Sequence, residues 1–328
     1  MAVRKLTLLV LFLIFAAVLI LFSAVLLLWN TIPVKEAARW PTDNPPAYYI
    51  VMIGRRIDTP FWQRVYAEAR TAAEEHNMII EFIGPSSDAD RNQIDEYMNY
   101  AVAARADGIL SYINDSSSIR EVLEFAGKKG IPVVVLENDT VTGSRQSFVG
   151  ISSYELGKNL GTLILEAGGE NSTVLVLPDT SSSRTSGMIM MSGIQETLRE
   201  YPKIEISVDG SEQAGSSAYE QFIRNRIMTD DDLDIIVTLN VNDTMRAAQA
   251  VIELNKMDDI SIIAFRENEN ILEYVRRGII YAVVVPDAEQ IGRRAVEVMH
   301  EFLEKKYTND YVITDMYIIY QDTDSGLY

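Results

Sequence analysis

Little in this chain is equipped for covalent or metal chemistry. Cysteine is absent, and histidine occurs only at His76 and His300, neither with a companion at ligand spacing. Disulfides, thiolate sites and a lipid-modified cysteine anchor are thereby excluded, and a histidine-held metal has no ligand set. Ser181, Ser182, Ser183 and Ser186 stand ahead of a helical stretch, where hydroxyls suit loop and cap duty better than nucleophilic attack. The chain has no Gly-x-x-x-x-Gly-Lys-Ser/Thr phosphate loop and no Gly-x-Ser-x-Gly elbow, and Gly54-Arg55-Arg56 lacks the glycines of a dinucleotide fingerprint. What remains is recognition chemistry. Arg55 and Arg56 follow one apolar run and Arg266 ends another, and guanidinium groups suit bidentate recognition of carboxylate or phosphate. Two readings stand open for these arginines: an anionic ligand, or internal pairing with Glu137, Asp58 or Glu267. No catalytic residue, cofactor or metal ligand is assigned.

Residues Leu6 to Trp29 are apolar apart from Thr7 and Ser23. At about 1.5 Å per residue this run is long enough to cross about 30 Å of hydrocarbon. Arg4 and Lys5 precede it, which predicts a cytoplasmic N-terminus (1–5), a single-pass anchor (6–29) in the cell membrane and an extracytoplasmic remainder. A cleaved signal peptide is the alternative, but Ser23-Ala24, its best small pair, is followed by more hydrocarbon from Val25 to Trp29. Residues 30–47, with Pro33, Pro41, Pro45 and Pro46, read as a spacer. The formal charge is −18, from 29 basic and 47 acidic residues, with no basic run after Lys5. Nucleic acid would be repelled, and the acidity suits the solubility of an exposed domain.

From Tyr48 short apolar runs alternate with longer amphipathic ones. Tyr49-Ile50-Val51-Met52-Ile53 reads as a buried strand, and Thr59-Pro60 as the cap and first residue of a helix. A first series runs to Gly150 and a second follows it. Near-continuous Val/Ile/Leu strands between helices predict an α/β fold of two doubly wound, parallel-sheet lobes. Ligands collect at the carboxyl ends of such strands, so the two lobes should share one cleft.

Five stretches carry a resemblance: Ala106 to Leu110, Gly130 to Val134, Val149-Gly150 through Tyr154 to Gly157, Asn242-Asp243, and Gly278 through Val284 to Gly292. In this order they resemble the type I extracytoplasmic sugar-binding proteins, the ribose and galactose receptor group, whose core is shared with lactose-repressor-type regulators. The resemblance runs from about Tyr48 to the C-terminus and implies a hinge crossed three times. Expected segments are a first lobe of mainly 48–150 plus a later segment near 265–290, and a second lobe of mainly 151–264 plus a segment near 290–312. It implies that Phe61 and Trp62 stack on a sugar ring. It also places Asn242 at ligand hydroxyls, although Asn and Asp equally favour helix N-caps.

The departures fall in the same cleft. Ala264-Phe265-Arg266 stands where the family has Gly-Phe-Asp, and Glu137-Asn138 where it has Asp-Arg. Met190 and Pro286 replace an expected arginine and glutamine. Arginine only donates hydrogen bonds, so Arg266 inverts the preferred partner and opens the site to an acidic sugar. The expected ligand-binding set is therefore Arg55, Phe61, Trp62, Glu137, Asn138, Asn242 and Arg266. The expected function is a membrane-anchored receptor for a small polar solute, a sugar or sugar derivative, serving an ABC permease or a membrane histidine kinase. A degenerate cleft used for protein contacts is the alternative. An α/β enzyme is a more distant one. A DNA-binding regulator would need a helix-turn-helix where this chain has its apolar run.

Overall fold

The computed structural model of the protein describes residues 45–86, 93–114, 117–139, 145–179, 183–209 and 216–323. The expected anchor Leu6 to Trp29 lies outside the described residues, as do most of the spacer and Ser181-Ser182. Among the described residues no helix is long and apolar enough to cross a membrane.

Two six-stranded sheets organise the unit from Pro46 onward. The first contains β1 (Tyr48–Ile53), β2 (Met78–Ile83), β3 (Gly108–Tyr112), β4 (Val133–Leu136) and β5 (Ser147–Gly150). Its helices are α1 (Pro60–Glu75), α2 (Ile94–Ala103) and α3 (Ser117–Lys128). The second sheet contains β6 (Thr173–Leu177), β7 (Glu205–Val208), β8 (Leu233–Thr238), β9 (Ser261–Phe265) and β10 (Ala282–Pro286). Around it lie α4 (Ser153–Gly168), α5 (Arg184–Thr197), α6 (Ser216–Thr229), α7 (Val241–Glu253) and α8 (Glu269–Arg276). The chain then returns to the first lobe through α9 (Ala288–Lys305) and β11 (Tyr311–Ile313), and ends in the second with β12 (Met316–Tyr320).

Strand order is β11-β5-β4-β3-β1-β2 in the first sheet and β12-β10-β9-β8-β6-β7 in the second. All pairings are parallel except β10 with β12. Strands β1, β3 and β4 are buried throughout or nearly so, because helices cover both faces and favour apolar side chains, with Ser111 of β3 the buried hydroxyl among them.

The expected late segments of the lobes are reversed in the structure. Strand β10 pairs with β9 in the second sheet, and α9 belongs to the first lobe. Gly292 is the reason α9 fits there, since a Cβ at that position would drive into the carbonyl oxygen of Val65 on α1. The first lobe is thus 48–150 with 288–313, and the second is 151–286 with 316–320. Three crossings connect them. They are tied together by Thr314 N–H donating to Gly150 O (2.9 Å) and Asp287 N–H to Asp315 O (3.0 Å).

Candidate ligand-binding cleft

In each sheet the strand order reverses beside one strand, at β1/β3 in the first and β6/β8 in the second. Side chains just past the carboxyl ends of these strands meet across the lobes, where such folds place ligands. Arg55, beyond β1, donates from Nη1 to Oδ2 of Asp179, beyond β6, at 3.1 Å. Arg266, beyond β9, donates from Nη1 to Oε1 of Glu137, beyond β4, at 3.0 Å. Arg64 on α1 pairs with Glu267 beside Arg266. Asn138 accepts on Oδ1 from the Ser183 backbone N–H at 3.1 Å and donates from Nδ2 to Ile113 O at 2.9 Å. Ser183 is itself the N-cap of α5, its hydroxyl accepting from Ser186 N–H.

Among the described residues, three guanidinium–carboxylate pairs therefore span the cleft, and their charges balance. This is the internal-pairing alternative for Arg266 and Glu137, whose side chains are 19% and 3% exposed. Arg56 pairs with Asp58 at 2.9 Å, outside the cross-lobe set. An acidic ligand at Arg266 would have to displace the buried Glu137 carboxylate, which matches that cation within the protein. For Arg55 burial opposes the charge, but Asp179, Tyr112 and Glu137 together outweigh it and raise the pKa above that of a free arginine. Tyr112 lies beneath, with the Arg55 guanidinium 5.8 Å from its ring centroid, and burial raises its phenol pKa despite that cation.

The aromatic pair divides in role. Trp62 sits inside the first lobe's core, edge-on to Tyr112 at 6.2 Å. Phe61 meets Trp62 edge-on, and the Arg266 guanidinium lies 5.2 Å from the Phe61 centroid. The face expected to receive a sugar ring is covered by an arginine of the other lobe.

Asn242 is exposed, the second residue of α7, and the helix is capped by Asn240 instead. Asn240 accepts from Asp243 N–H at 2.9 Å and donates to Asp243 Oδ2 at 2.6 Å. Arg246 donates to Asp243 Oδ1 at 2.8 Å. Burial raises the Asp243 pKa, which these two partners oppose and Asp179 reinforces. As a cap, Asn242 gives way to Asn240, two residues earlier, and the buried polar residues at this helix start are Asp243 and Thr244.

Sequence reading passed over Arg64, Asn114, Asp179 and Asn240. Asn114, Asp179 and Asn240 each sit just past a strand, the one signal that pointed to them. Arg64 gave none, since it reads as the polar face of α1.

Several buried polar atoms here have no partner among the described residues: Asn114 Oδ1, Glu137 Oε2, Arg266 Nε and Glu267 Oε2. An unsatisfied buried group costs about 1–3 kcal/mol, so four at the ends of β3, β4 and β9 make a set of three acceptors and one donor waiting for hydrogen bonds. Hydroxyl groups both donate and accept, and match such a set. No group of three or more potential metal ligands occurs among the described residues.

The sequence profile of the periplasmic binding protein domain matches residues 50–307. The ribose import binding protein RbsB of Bacillus subtilis (strain 168) is 22% identical over 253 residues, covering 76% of this chain and 80% of that one. The D-apiose import binding protein of Paraburkholderia graminis is 23% identical over 261 residues, 79% of this chain and 82% of its own. Among solved structures, GanP, a glucose-galactose binding protein from Geobacillus stearothermophilus, superposes with a TM-score of 0.75 at 21% identity, covering 84% of this chain and 98% of that one. A XylFII-LytSN complex gives a TM-score of 0.70 at 24% identity over 84% and 98%.

Proposed function

The chain belongs to the periplasmic binding protein domain family, and from that premise we propose that it binds a small neutral polyhydroxylated solute, a sugar or sugar derivative, between its lobes without turning it over. The carrying observation is the set of unpartnered acceptor atoms on Asn114, Glu137 and Glu267. Those acceptors suit the hydroxyls of a sugar, and the cross-lobe ion pairs among the described residues balance in charge. Relatives named for ribose and D-apiose import support the ligand class. Phe61 and Arg55, at the cleft, contact the solute in this reading; Trp62 braces Phe61 from behind.

The receptor works from the outer face of the cell membrane, tethered by Leu6 to Trp29, with the N-terminus in the cytoplasm. It hands its solute to an ABC permease or its bound state to a membrane histidine kinase. The likeness to a chain solved in the XylFII-LytSN complex favours the partner-protein arm.

A second reading is favoured by the same ion pairs. With Arg55, Arg64 and Arg266 all engaged across the cleft, the lobes can meet with no solute, and the protein then acts through protein contacts alone. A thermal-shift screen of neutral aldoses, ketoses, polyols and sugar acids on the detergent-solubilised chain separates the two. Stabilisation by a neutral sugar is expected, and a flat response across all classes would select the second reading. The tether is tested by washing membranes with alkaline carbonate: the protein should stay in the pellet, and release into the wash would refute anchoring.

A further inference from the structure

The cleft is filled in part by a side chain of the protein's own. Arg266 leaves β9 in left-handed backbone, φ 75°, its N–H donating to Val284 O at 2.9 Å. Its guanidinium lies 4.9 Å from the centroid of Phe265 in its own lobe and 5.2 Å from that of Phe61 in the other. It reaches Glu137 there, which is also left-handed at φ 65°. That region is disfavoured for any residue with a Cβ, so both members of one ion pair hold conformations the local chain resists. Cationic groups over aromatic faces are attracted much as sugar C–H faces are.

We propose that Arg266 is an internal ligand: anchored in the second lobe, it takes the aromatic face and carboxylate of the first, closes the lobes without solute, and is displaced when solute enters. This rests on the reading of the cleft as a solute site and supplies its regulation. The hold is a single hydrogen bond, with Arg266 Nε and Glu137 Oε2 left unpartnered. A bidentate fork would lock the lobes, whereas a one-point contact on an aromatic face can be exchanged for a ligand's hydroxyls. Glu137 is the more deeply buried partner and Arg266 the more exposed, so the arginine is the group that swings out.

The experiment uses the full-length chain in detergent micelles. It lacks cysteine, so Ala67→Cys and Asn270→Cys, at exposed positions of α1 and α8 on opposite lobes, give two unique spin-label sites. Pulsed electron paramagnetic resonance without sugar should yield one short inter-lobe distance in the parent. Arg266→Gln and Glu137→Gln should each lengthen or broaden it, and the double variant should do no more than either single, because all three remove one contact. Arg266→Lys keeps the charge without the planar stack and should fall between. A parent already open, or Arg266→Gln and Glu137→Gln distances unchanged in proteins that circular dichroism shows folded, would overturn the proposal. D-ribose and D-galactose are titrated into each form. Where a sugar binds, Arg266→Gln should raise its affinity about 10-fold, the factor expected if about a tenth of the parent is open to ligand. A distance shift with neither sugar bound by any form would leave internal closure standing and count against the solute reading. Sugar binding with no distance shift would do the reverse.

Discussion

The carboxamide of Asn138 joins the two lobes at a single point, its Oδ1 accepting the Ser183 backbone N–H at 3.1 Å while its Nδ2 holds Ile113 O at 2.9 Å. One buried side chain thus satisfies the end of β3 in one lobe and the cap of α5 in the other. Asn138→Ala strands a donor and an acceptor together, and should cost about 1–3 kcal/mol. Asn138→Asp keeps the acceptor for Ser183 but sets a carboxylate against the Ile113 carbonyl, and should cost at least as much. Urea denaturation at fixed pH measures both, and a loss within error for Asn138→Ala would remove this link from the cross-lobe set.

Helix packing gives a sharper test of how the lobes are assembled. Gly157 on α4 and Gly193 on α5 face each other so closely that a Cβ on Gly157 would meet Met190 O. Gly292 does the same for α9 against Val65 on α1. Gly157→Ala and Gly292→Ala should each destabilise by about 1–3 kcal/mol through forced backbone separation. Gly127→Ala, where nothing lies within 4 Å of an added Cβ, should be neutral or slightly stabilising, since alanine is the better helix residue. Thermal denaturation of the three variants should rank them in that way.

His300 supplies a pH dependence. His76 closes α1 and His300 lies on α9, their rings stacked with centroids 4.2 Å apart. Burial first, and then His76, lowers the His300 pKa, with Lys305 adding to the shift and Glu304 opposing it. Below the ordinary histidine value near 6.5, the unfolded chain takes up a proton at His300 that the folded chain does not. The unfolded state then binds more protons, so stability falls as pH drops through that window and is recovered above it. His300→Gln should flatten the fall between about pH 7.5 and 5.5. An unchanged slope in urea denaturation across that range would assign the dependence elsewhere.

Much of this architecture was legible in the chain, and the limits are instructive. Strands such as β1 and β4 announce themselves because burial on both faces forces an unbroken Val/Ile run. Burial does not say which sheet receives a strand, however. The runs at Ile262-Ile263 and Val283-Val284 look alike, and only the pairing of β9 with β10 puts both in the second lobe. Strands β11 and β12 were passed over although Tyr311 to Ile313 and Met316 to Tyr320 are aromatic and β-branched runs; their exposed Tyr311, Ile313 and Tyr317 mark them as outer strands rather than core ones. The Arg266–Glu137 pair was one of two readings open from residue types, and only geometry chose between them. Asn240 and Asn242 are equally good caps by composition; the extended backbone of Asn240, φ −150° and ψ 156°, decides it.

Surface ion pairs elsewhere should matter little beside those in the cleft. Arg199–Glu196 and Arg276–Glu273 are exposed helix pairs, of a kind contributing about 0.3–0.5 kcal/mol. Glu267 is 3% exposed, and Arg64→Ala would leave its carboxylate buried without its cation, at a cost of about 3–5 kcal/mol. Arg64→Ala/Glu267→Gln should recover a large part of that loss. A double-mutant cycle by urea denaturation checks this, and additive losses would mean that the two side chains do not act as a pair.

The central claim is that the cleft takes a neutral polyol rather than an acid, and titration calorimetry on matched sugars tests it most directly. D-galactose with D-galacturonate, and D-glucose with D-glucuronate, differ only in a carboxylate. Arg55–Asp179 and Arg64–Glu267 are matched pairs, and swinging Arg266 out bares the Glu137 carboxylate, which repels a ligand carboxylate, so in any pair that binds, the neutral sugar should be tighter by about 10-fold or more, equivalent to about 1.4 kcal/mol. Tighter binding of the acid member of either pair would contradict the account.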